Sequence, residues 1–408
     1  MSKFNRADIQ KYIRERVIDE IDISRLVSDE EIEEIINHHL LTVCKEHYID
    51  SFEKSSMARE IFNSIRKLDI LQELIDDPGV TEIMVNGTEN IFVEREGKII
   101  KWNHNFSSRE KLEDVVQQIV SKNNRMVNES KPIVDARLDN GSRVHVVLPP
   151  IALNGPIITI RRFPEHPIDM GQLIQYGSIS EEAATFLGTL VKAGYNIFIS
   201  GGTGSGKTTF LNALSEFIPA DERLITIEDS AELQIRGNDN LVRLETRNAN
   251  VDGCNAISIR DLIRASLRMR PDRIIVGEVR GGEAIDMMQA LNTGHDGSMS
   301  TGHANSASDM LLRLETMILM GMELPIPAIR RQIASGVDIV VHLGRMRDRS
   351  RKVLSISEII GMNNTEIELR DLYLFREERE MNGKIIGFHE KKNELSNKSK
   401  LIAKGLSC

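Results

Sequence analysis

The residues best suited to chemistry lie in one short segment, FISGGTGSGKTTFLNALSEF, from Phe198 to Phe217. The spacing Gly201-x-x-x-x-Gly206-Lys207-Thr208 matches the Walker A pattern. An apolar run precedes the glycines and an amphipathic run follows them, which predicts a strand, a loop and a helix. Glycines let successive backbone N–H groups point at phosphate oxygens, and the helix N-terminus adds a favourable dipole. A glycine-rich turn that merely closes a strand–helix corner is the weaker interpretation.

The motif assigns roles toward a bound nucleotide. Lys207 is expected to reach the β- and γ-phosphates, and Thr208 to hold Mg²⁺, which takes oxygen ligands. ATP is favoured over GTP because the base-reading pattern Asn/Thr-Lys-x-Asp is absent: NKSK has Lys400 where aspartate is required. No motif that reads adenine is evident. The predicted nucleotide-binding residues are Gly202, Thr203, Gly204, Ser205, Gly206, Lys207, Thr208 and Thr209.

Three acids follow predicted strands in the same part of the chain. Glu278 ends the apolar run RIIVGE, and Glu228 and Asp229 follow the run RLITI. The carboxyl ends of parallel strands share one edge of a sheet, so these acids are expected beside the phosphates. We assign Glu278 the catalytic role, in which it positions or deprotonates the attacking water or ligates Mg²⁺ through water. Lys207 and Glu228 are further catalytic residues, and we place Asp229 at Mg²⁺. The alternatives are a surface carboxylate at Glu278 and a turn capped by Asp229.

Two histidines flank the short strand after Glu278, in NTGHDGSMSTGHANS. His295 and His303 are predicted to sense the γ-phosphate or to relay its presence to a neighbour, although a lone histidine is usually a structural residue. No transition-metal site is expected, because no cysteine or third histidine is near. On the preceding helix, Arg260, Arg264 and Arg268 recur every four residues. A solvated or ion-paired face is the favoured interpretation of these arginines, and an intersubunit or phosphate contact is the alternative.

The elements around these motifs suggest several domains. Strands alternate with helices around the Walker A segment, which predicts a mostly parallel α/β sheet with helices on both faces. Asn382-Gly383 between apolar runs is a hairpin signal, and the last residues are expected to be loose. The predicted parts are a helical segment (1–62), an α+β domain (63–164), a linker (165–178), an ATPase domain (179–364), and a hairpin with a polar tail (365–408).

Composition narrows the function classes. The chain has 408 residues, 28% of them charged, and a net charge of -9. Its three cysteines are widely spaced, no apolar stretch could span a bilayer, and no secretory signal is evident, so a cytoplasmic protein is expected. The acidic balance and the aromatic content of 4% make nucleic acid an unlikely partner.

Together the motif blocks resemble the secretion-ATPase superfamily of bacterial type II and type IV secretion and type IV pili. The blocks are GGTGSGKTTFLNALS, ITIEDSAELQ, LRMRPDRIIVGEVRGGEAIDMMQALNTGHDGSMSTGHANS and RRQIASGVDIVVHLGR. The specific likeness is to the CpaF branch, which assembles Tad/Flp-type pili, and it spans roughly residues 65 to 360. The family usually has glycine where this chain has Arg349, so that turn is expected to differ in shape.

The resemblance implies a RecA-like P-loop ATPase domain preceded by a smaller α+β domain, a homo-hexameric ring, and ATP at the cleft between the domains. It also implies arginines of the N-terminal domain that reach the phosphates. Arg161 and Arg162 are the best candidates, followed by Arg137 and Arg143.

The expected function is Mg²⁺-dependent ATP hydrolysis that powers pilus assembly or related secretion. Contact with the membrane would run through an inner-membrane platform protein. One alternative is a RecA-like nucleic-acid translocase or helicase. Another is a nucleotide-sensing scaffold that hardly hydrolyses, although Lys207, Thr208 and Glu278 argue against it.

Overall fold

The computed structural model describes residues 6–22, 25, 27–45, 49–95, 97–123, 125–163, 167–247 and 256–407. The chain forms two compact units, residues 1–164 and 165–408. Within the described residues, no helix is both long and apolar enough to cross a membrane.

The first unit begins with three helices that share an apolar cluster of their own. They are α1 (Arg6–Glu20), α2 (Asp29–Cys44) and α3 (Ser51–Arg66). Ser28 accepts a hydrogen bond from the backbone N–H of Glu31, so it caps α2. Ile13, Ile36 and Leu40 are almost fully buried between the helices, which makes this bundle a small core separate from the sheet that follows.

The rest of the first unit is an antiparallel sheet with two further helices, α4 (Leu71–Asp76) and α5 (Arg109–Ser121). The strands are β1 (Val80–Asn86), β2 (Asn90–Arg95), β3 (Lys98–Trp102), β4 (Ile133–Arg137), β5 (Arg143–Val147) and β6 (Ile157–Arg161), in the order β3-β2-β1-β6-β5-β4. Alternate residues such as Ile83, Val144 and Ile160 are fully buried in the same core as the apolar side of α5. The side chains between them, including three arginines, lie on the other face.

The second unit is built on a nine-stranded sheet in the order β15-β14-β13-β12-β7-β11-β10-β8-β9. The strands are β7 (Ile197–Gly201), β8 (Leu224–Glu228), β9 (Leu241–Glu245), β10 (Arg273–Val276), β11 (Met299–Gly302), β12 (Ile339–Arg345), β13 (Arg351–Asn363), β14 (Glu366–Met381) and β15 (Lys384–Lys391). The six strands from β12 to β9 run parallel to one another. The last three strands extend the sheet antiparallel, and Asn382-Gly383 forms the turn between β14 and β15.

Helices cover both faces of this sheet. They are α6 (Met170–Gln175), α7 (Glu181–Ala193), α8 (Lys207–Ser215), α9 (Ile259–Ser266), α10 (Ala284–Leu291), α11 (Ala307–Gly321), α12 (Ile326–Gly336) and α13 (Ser399–Ala403). Ile197 and Ile199 pack with α7 and α8 in one apolar cluster, whereas Phe198 packs with the cluster of α9 to α12. Successive side chains of β7 therefore pack into two different cores, one on each face of the sheet, as expected for a buried parallel strand.

Two segments differ from their predictions. Residues 165–178 were expected to be a linker, but they contain α6, whose Met170 and Leu173 are buried in the core of the second unit. The tail was expected to be loose, but Leu395 and Leu401 are buried in that same core and α13 forms around Leu401. The apolar residues of both segments lie among prolines, glycines or polar residues, which hides the short helix that each one contains.

The tail also makes polar contacts at the amino edge of the parallel strands. Lys400 Nζ lies 2.7 Å from Asp338 Oδ2 and 2.7 Å from Asp296 Oδ1. The hydroxyl of Tyr195 donates to the carbonyl of Asn397 at 2.5 Å. Burial raises the pKa of Asp338, and the ammonium of Lys400 opposes that shift. The interaction with the Lys400 ammonium therefore offsets much of the free-energy cost of burying the Asp338 carboxylate.

We expect Lys400→Ala to lower the free energy of unfolding of the protein by about 1–2 kcal/mol, because it leaves the buried Asp338 carboxylate without its ammonium partner. Chemical denaturation measures the change. Lys404→Ala, in an exposed position one helical turn further on, is the matched control and should change stability by less than about 0.5 kcal/mol. Equal effects of the two substitutions would contradict this account.

Candidate functional site

The predicted phosphate loop joins β7 to α8. A Cβ atom on Gly201 would lie 2.5 Å from the carbonyl oxygen of Leu343, so only glycine fits where β7 passes β12. Gly206 stands before the first turn of α8 with φ 93°, a left-handed conformation that suits glycine. Among the described residues, no side chain caps this helix. Its first N–H groups are therefore available to an anion, which is what a nucleotide phosphate requires.

Lys207 folds back over this loop. Its Nζ donates to the carbonyls of Gly201 and Gly202, both at 3.0 Å, and lies 3.2 Å from His303 Nδ1. The side chain is only 8% exposed. Burial lowers the pKa of Lys207, while the charge of Glu278 acts in the opposite direction. The ammonium thus lies at the loop, where phosphate oxygens could replace its carbonyl partners.

His303 links Lys207 to Glu278. Its Nδ1 faces the Lys207 ammonium, and its Nε2 lies 3.1 Å from Glu278 Oε1. An ammonium can only donate, so Nδ1 must accept, and the ring proton lies on Nε2, from which it can donate to the carboxylate. Burial, followed by the charge of Lys207, lowers the pKa of His303. A neutral imidazole therefore connects the cation of the loop to the proposed catalytic acid.

The backbone around Glu278 is fixed by β11. Thr301 Oγ1 donates to the carbonyl of Gly277 at 2.7 Å, and the N–H of Val279 donates to the carbonyl of Thr301 at 2.9 Å. Glu278 and His303 both follow the carboxyl ends of neighbouring parallel strands. The structure therefore brings three predicted residues, Lys207, Glu278 and His303, to one edge of the sheet.

Glu228 holds its own loop. Its Oε2 accepts hydrogen bonds from the N–H groups of Glu232 (2.7 Å) and Leu233 (2.8 Å). Its Oε1 is buried, with no hydrogen-bond partner among the described residues. Burial raises the pKa of Glu228 to about 7. These contacts give Glu228 a role in positioning the loop after β8, and its predicted catalytic role stays a prediction.

The predicted magnesium ligands are both near the ends of elements at this edge. Thr208 is half-buried in the first turn of α8. Asp229 pairs with Arg280 Nη2 at 2.5 Å and accepts a hydrogen bond from Thr246 Oγ1 at 2.9 Å. Within the described part of the chain, no group of three or more His, Cys, Asp or Glu side chains could hold a metal. These oxygen donors fit Mg²⁺, which commonly binds one or two protein groups together with substrate phosphates and water.

The structure does not bring His295 to the phosphate loop. His295 precedes β11 and His303 follows it, so the two histidines lie at opposite ends of a strand of four residues, about 13 Å long. The ring Nδ1 of His295 lies 3.1 Å from the carbonyl of Ala290. The prediction that His295 senses the phosphate of its own loop is therefore corrected, because residues that flank a strand lie at opposite edges of the sheet.

Three of the four candidate arginines of the first unit form a row. Arg137 faces Arg143 across β4 and β5, and Arg143 faces Arg161 across β5 and β6. Cross-strand partners share a face of the sheet. Arg162 differs, because its guanidinium donates to the carbonyls of Asp77 and Val80 inside the same unit. The row thus excludes Arg162, which has a structural role.

Two other groups of residues near the site have structural partners. Arg260 and Arg264 both pair with the buried Asp286, at 2.7 and 2.8 Å, in agreement with the favoured ion-paired interpretation.

His342, which sequence analysis missed, is buried on β12 with Nδ1 2.7 Å from the hydroxyl of Ser200. Burial lowers its pKa. The sequence did offer a signal for this contact, because a histidine inside the apolar run DIVVHLG must find a polar partner when it is buried. That partner, Ser200, lies at the end of β7 just before the phosphate loop.

Comparison with known proteins agrees with this geometry. A family model described as type II/IV secretion system protein matches residues 65–378. The chain belongs to this family. A putative conjugal transfer protein of Mycobacterium tuberculosis is 32% identical to it over 327 residues, covering 79% of this chain and 92% of the relative. The type IV secretion system protein VirB11 of Brucella suis is 34% identical over 306 residues, covering 68% of this chain and 84% of VirB11.

A solved structure supports the fold of this secretion family. The ATPase DotB of Legionella pneumophila is 19% identical, has a TM-score of 0.50, and covers 72% of this chain and 80% of its own. The predicted RecA-like α/β fold is confirmed, as is the predicted superfamily. Membership in the CpaF branch goes beyond these matches.

The raised pKa of Glu228 generates a test. Between its ordinary pKa of 4.5 and the folded value of about 7, the folded state keeps a proton that the unfolded state loses, so stability falls as pH rises through this window. Glu228→Gln removes the titration and keeps an oxygen acceptor for both amides. The free energy of unfolding of the variant, relative to wild type, should rise by about 2 kcal/mol from pH 5 to pH 8.

Urea denaturation at both pH values measures this difference. Glu323→Gln, at an exposed position in the same unit, is the control and should show no such pH dependence. The free energies of unfolding of the Glu228 variant and wild type could also differ by the same amount at pH 5 and pH 8. That result would mean that Glu228 is ionised throughout this pH range.

Proposed function

We propose that this chain is a Mg²⁺-dependent ATPase of the CpaF branch that powers assembly of Tad/Flp-type pili or related secretion across the cell envelope. The observation that carries the proposal is the chain of contacts Lys207–His303–Glu278 at the end of β7, β11 and β10. Phosphoryl transfer to water uses a cation for the phosphate and a carboxylate for the water, and the neutral imidazole of His303 joins these two groups here.

Nucleotide would enter by an exchange of partners at Lys207. Phosphate oxygens would replace the carbonyls of Gly201 and Gly202 on the ammonium, while the N–H groups of the loop and of the first turn of α8 bind the remaining oxygens. Beside the loop, Gly202, Thr203, His303 and Asn305 line an open hollow of about 560 Å³, a volume within the range of ligand sites.

Glu278 would act on the attacking water. His303 Nε2–H holds Glu278 Oε1, which leaves Oε2 to orient the water and accept its proton. Mg²⁺, held through Thr208 and Asp229, would neutralise charge on the phosphate oxygens. His303 therefore acts in this proposal by orienting the acid and by reporting whether Lys207 has moved onto a phosphate.

The active form would be a homo-hexamer in the cytoplasm, attached to an inner-membrane platform protein. Relatives in type IV secretion and conjugal transfer support work at the cell envelope. The row of Arg137, Arg143 and Arg161 would bring positive charge to the γ-phosphate as charge develops there. Rotation of the first unit against the second would then couple hydrolysis to force.

ATP hydrolysis per subunit, measured as protein concentration rises, tests the enzyme and the ring together. We expect wild-type activity to climb with concentration, and Lys207→Ala and Glu278→Gln to lose at least about a hundredfold in turnover, because each removes a group used in the chemistry. Glu323→Gln is the exposed control and should keep wild-type turnover.

Other outcomes separate the alternatives. Full activity in Glu278→Gln would transfer the catalytic role to Glu228. Nucleotide binding with negligible wild-type turnover at every concentration would indicate a sensing scaffold. Strong stimulation by DNA or RNA that fades with salt would indicate a nucleic-acid translocase.

The arginine row has a test of its own. Arg161→Ala should lower kcat by at least about tenfold and change nucleotide affinity by less than about threefold, because its charge is needed when the phosphoryl group transfers. Steady-state kinetics and nucleotide titration measure the two quantities. Arg59→Ala, exposed on α3 of the same unit, is the control, and an equal kcat for both variants would remove the row from the mechanism.

A further inference from the structure

Two arginines flank the phosphate loop on the side away from the catalytic acid. Arg345 is the last residue of β12 and Arg351 is the first residue of β13, and the two face each other across the strand pair. Both are exposed. β12 and β11 lie on opposite sides of β7, so these arginines approach the loop from the side opposite His303 and Glu278.

Arg351 contacts the middle of the loop, and Arg345 lies beside it. Arg351 Nε donates to the carbonyl of Gly204 at 2.9 Å, and its Cδ lies 3.2 Å from the position that a Cβ on Gly206 would take. Arg345 Nη1 lies 3.9 Å from the corresponding Cβ position on Gly204. The two guanidinium groups therefore lie within a few ångströms of the backbone that would bind phosphate.

Neither arginine has an acidic partner among the described residues, although acids are close in sequence. Arg347, between them, pairs with Glu377 and Glu380 on β14. Asp348 accepts hydrogen bonds from Ile385 N–H at 2.8 Å and from Ser350. The loop thus directs Asp348 and Arg347 toward β14 and β15, and leaves Arg345 and Arg351 side by side as like charges.

Like charges directly opposite each other in a sheet destabilise it. A pair of arginines at this place is therefore unfavourable in the free protein, and an anion bound by the guanidinium of Arg345 would offset the repulsion. The adjacent phosphate loop identifies that anion as a phosphate of the bound nucleotide.

We propose that Arg345 binds the non-transferred α- and β-phosphates of the nucleotide, and that Arg351 positions the loop by holding the Gly204 carbonyl. Glu278 and His303 place the transferred phosphate on the β11 side of β7, so the remainder of the nucleotide extends toward β12. This inference rests on the proposed nucleotide site. It extends that site to two residues that the sequence motifs do not include.

Equilibrium binding of ADP and of a non-hydrolysable ATP analogue to the full chain tests Arg345. Arg345→Ala should weaken both ligands by the same factor, about tenfold or more, because both carry the α- and β-phosphates. Arg347→Ala, two residues along the same loop with its partners on β14, is the matched control and should change neither affinity. Arg345→Lys should recover part of the loss, since it keeps the charge without the planar fork.

Each other result overturns a defined part of the inference. Unchanged affinities in Arg345→Ala, with normal wild-type binding, would remove Arg345 from the site. A loss confined to the ATP analogue would place its guanidinium on the transferred phosphate. If wild type binds neither ligand, the proposed function itself fails.

Thermal unfolding without nucleotide separates binding from folding. Relief of the like-charge pair predicts that Arg345→Ala is at least as stable as wild type in the absence of ligand, and that ADP raises its Tm less than it raises that of wild type. A lower Tm of the ligand-free variant would make Arg345 a structural residue and contradict the proposal.

Arg351 needs a different readout because it acts through the loop. Arg351→Ala should raise KM for ATP at least about fivefold and leave kcat within about twofold, since it removes a contact that serves binding rather than the chemical step. Arg351→Gln keeps an N–H donor for Gly204 and should recover most of the KM. Equal KM in Arg351→Ala and wild type would overturn the positioning role.

Discussion

The close approach of Gly201 to the carbonyl oxygen of Leu343 determines where the phosphate loop begins. A side chain at Gly201 would separate β7 from β12, and the loop could not then turn back toward α8. Lys207 depends on this path because two of its partners are the carbonyls of Gly201 and Gly202. Arg345 follows Leu343 by two residues, so the same contact between strands also determines which arginine reaches the loop. One steric constraint thus places cationic groups on both sides of the phosphate loop.

The charges at this site differ from those of the whole chain. The protein carries a net charge of -9, yet Lys207, Arg345 and Arg351 surround the phosphate loop, and Glu278 is separated from Lys207 by a neutral imidazole. A change in the position of Lys207 would alter the contact at Nδ1 of His303, whose other ring nitrogen contacts Glu278. The phosphate loop therefore has a positive surrounding that the net charge of the chain does not indicate.

Sequence analysis located Lys207, Glu278 and His303 because a motif or a strand end specifies each position locally. It misplaced His295 because the two histidines were treated as a pair, although a residue before a parallel strand lies at its amino end and a residue after it lies at its carboxyl end. Arg345 and Arg351 were missed because their nearness to the loop follows from β12 pairing with β7, a contact between strands far apart in sequence. The hydrogen bonds of Glu228 to Glu232 and Leu233 were missed since an irregular loop has no periodicity that predicts its path.

The contacts made by the tail have a consequence for how the second unit folds. Tyr195 and Asn397, which are hydrogen-bonded, are 202 positions apart in the chain. During synthesis, β7, the phosphate loop and α8 leave the ribosome long before residues 395–401 exist, so the amino edge of the sheet lacks its cover until then. Such distant pairings slow folding and prolong the exposure of apolar strand surface. Residues 395–401 therefore pack onto the second unit only late in synthesis. Until they have emerged, the nascent chain is expected to depend on chaperones.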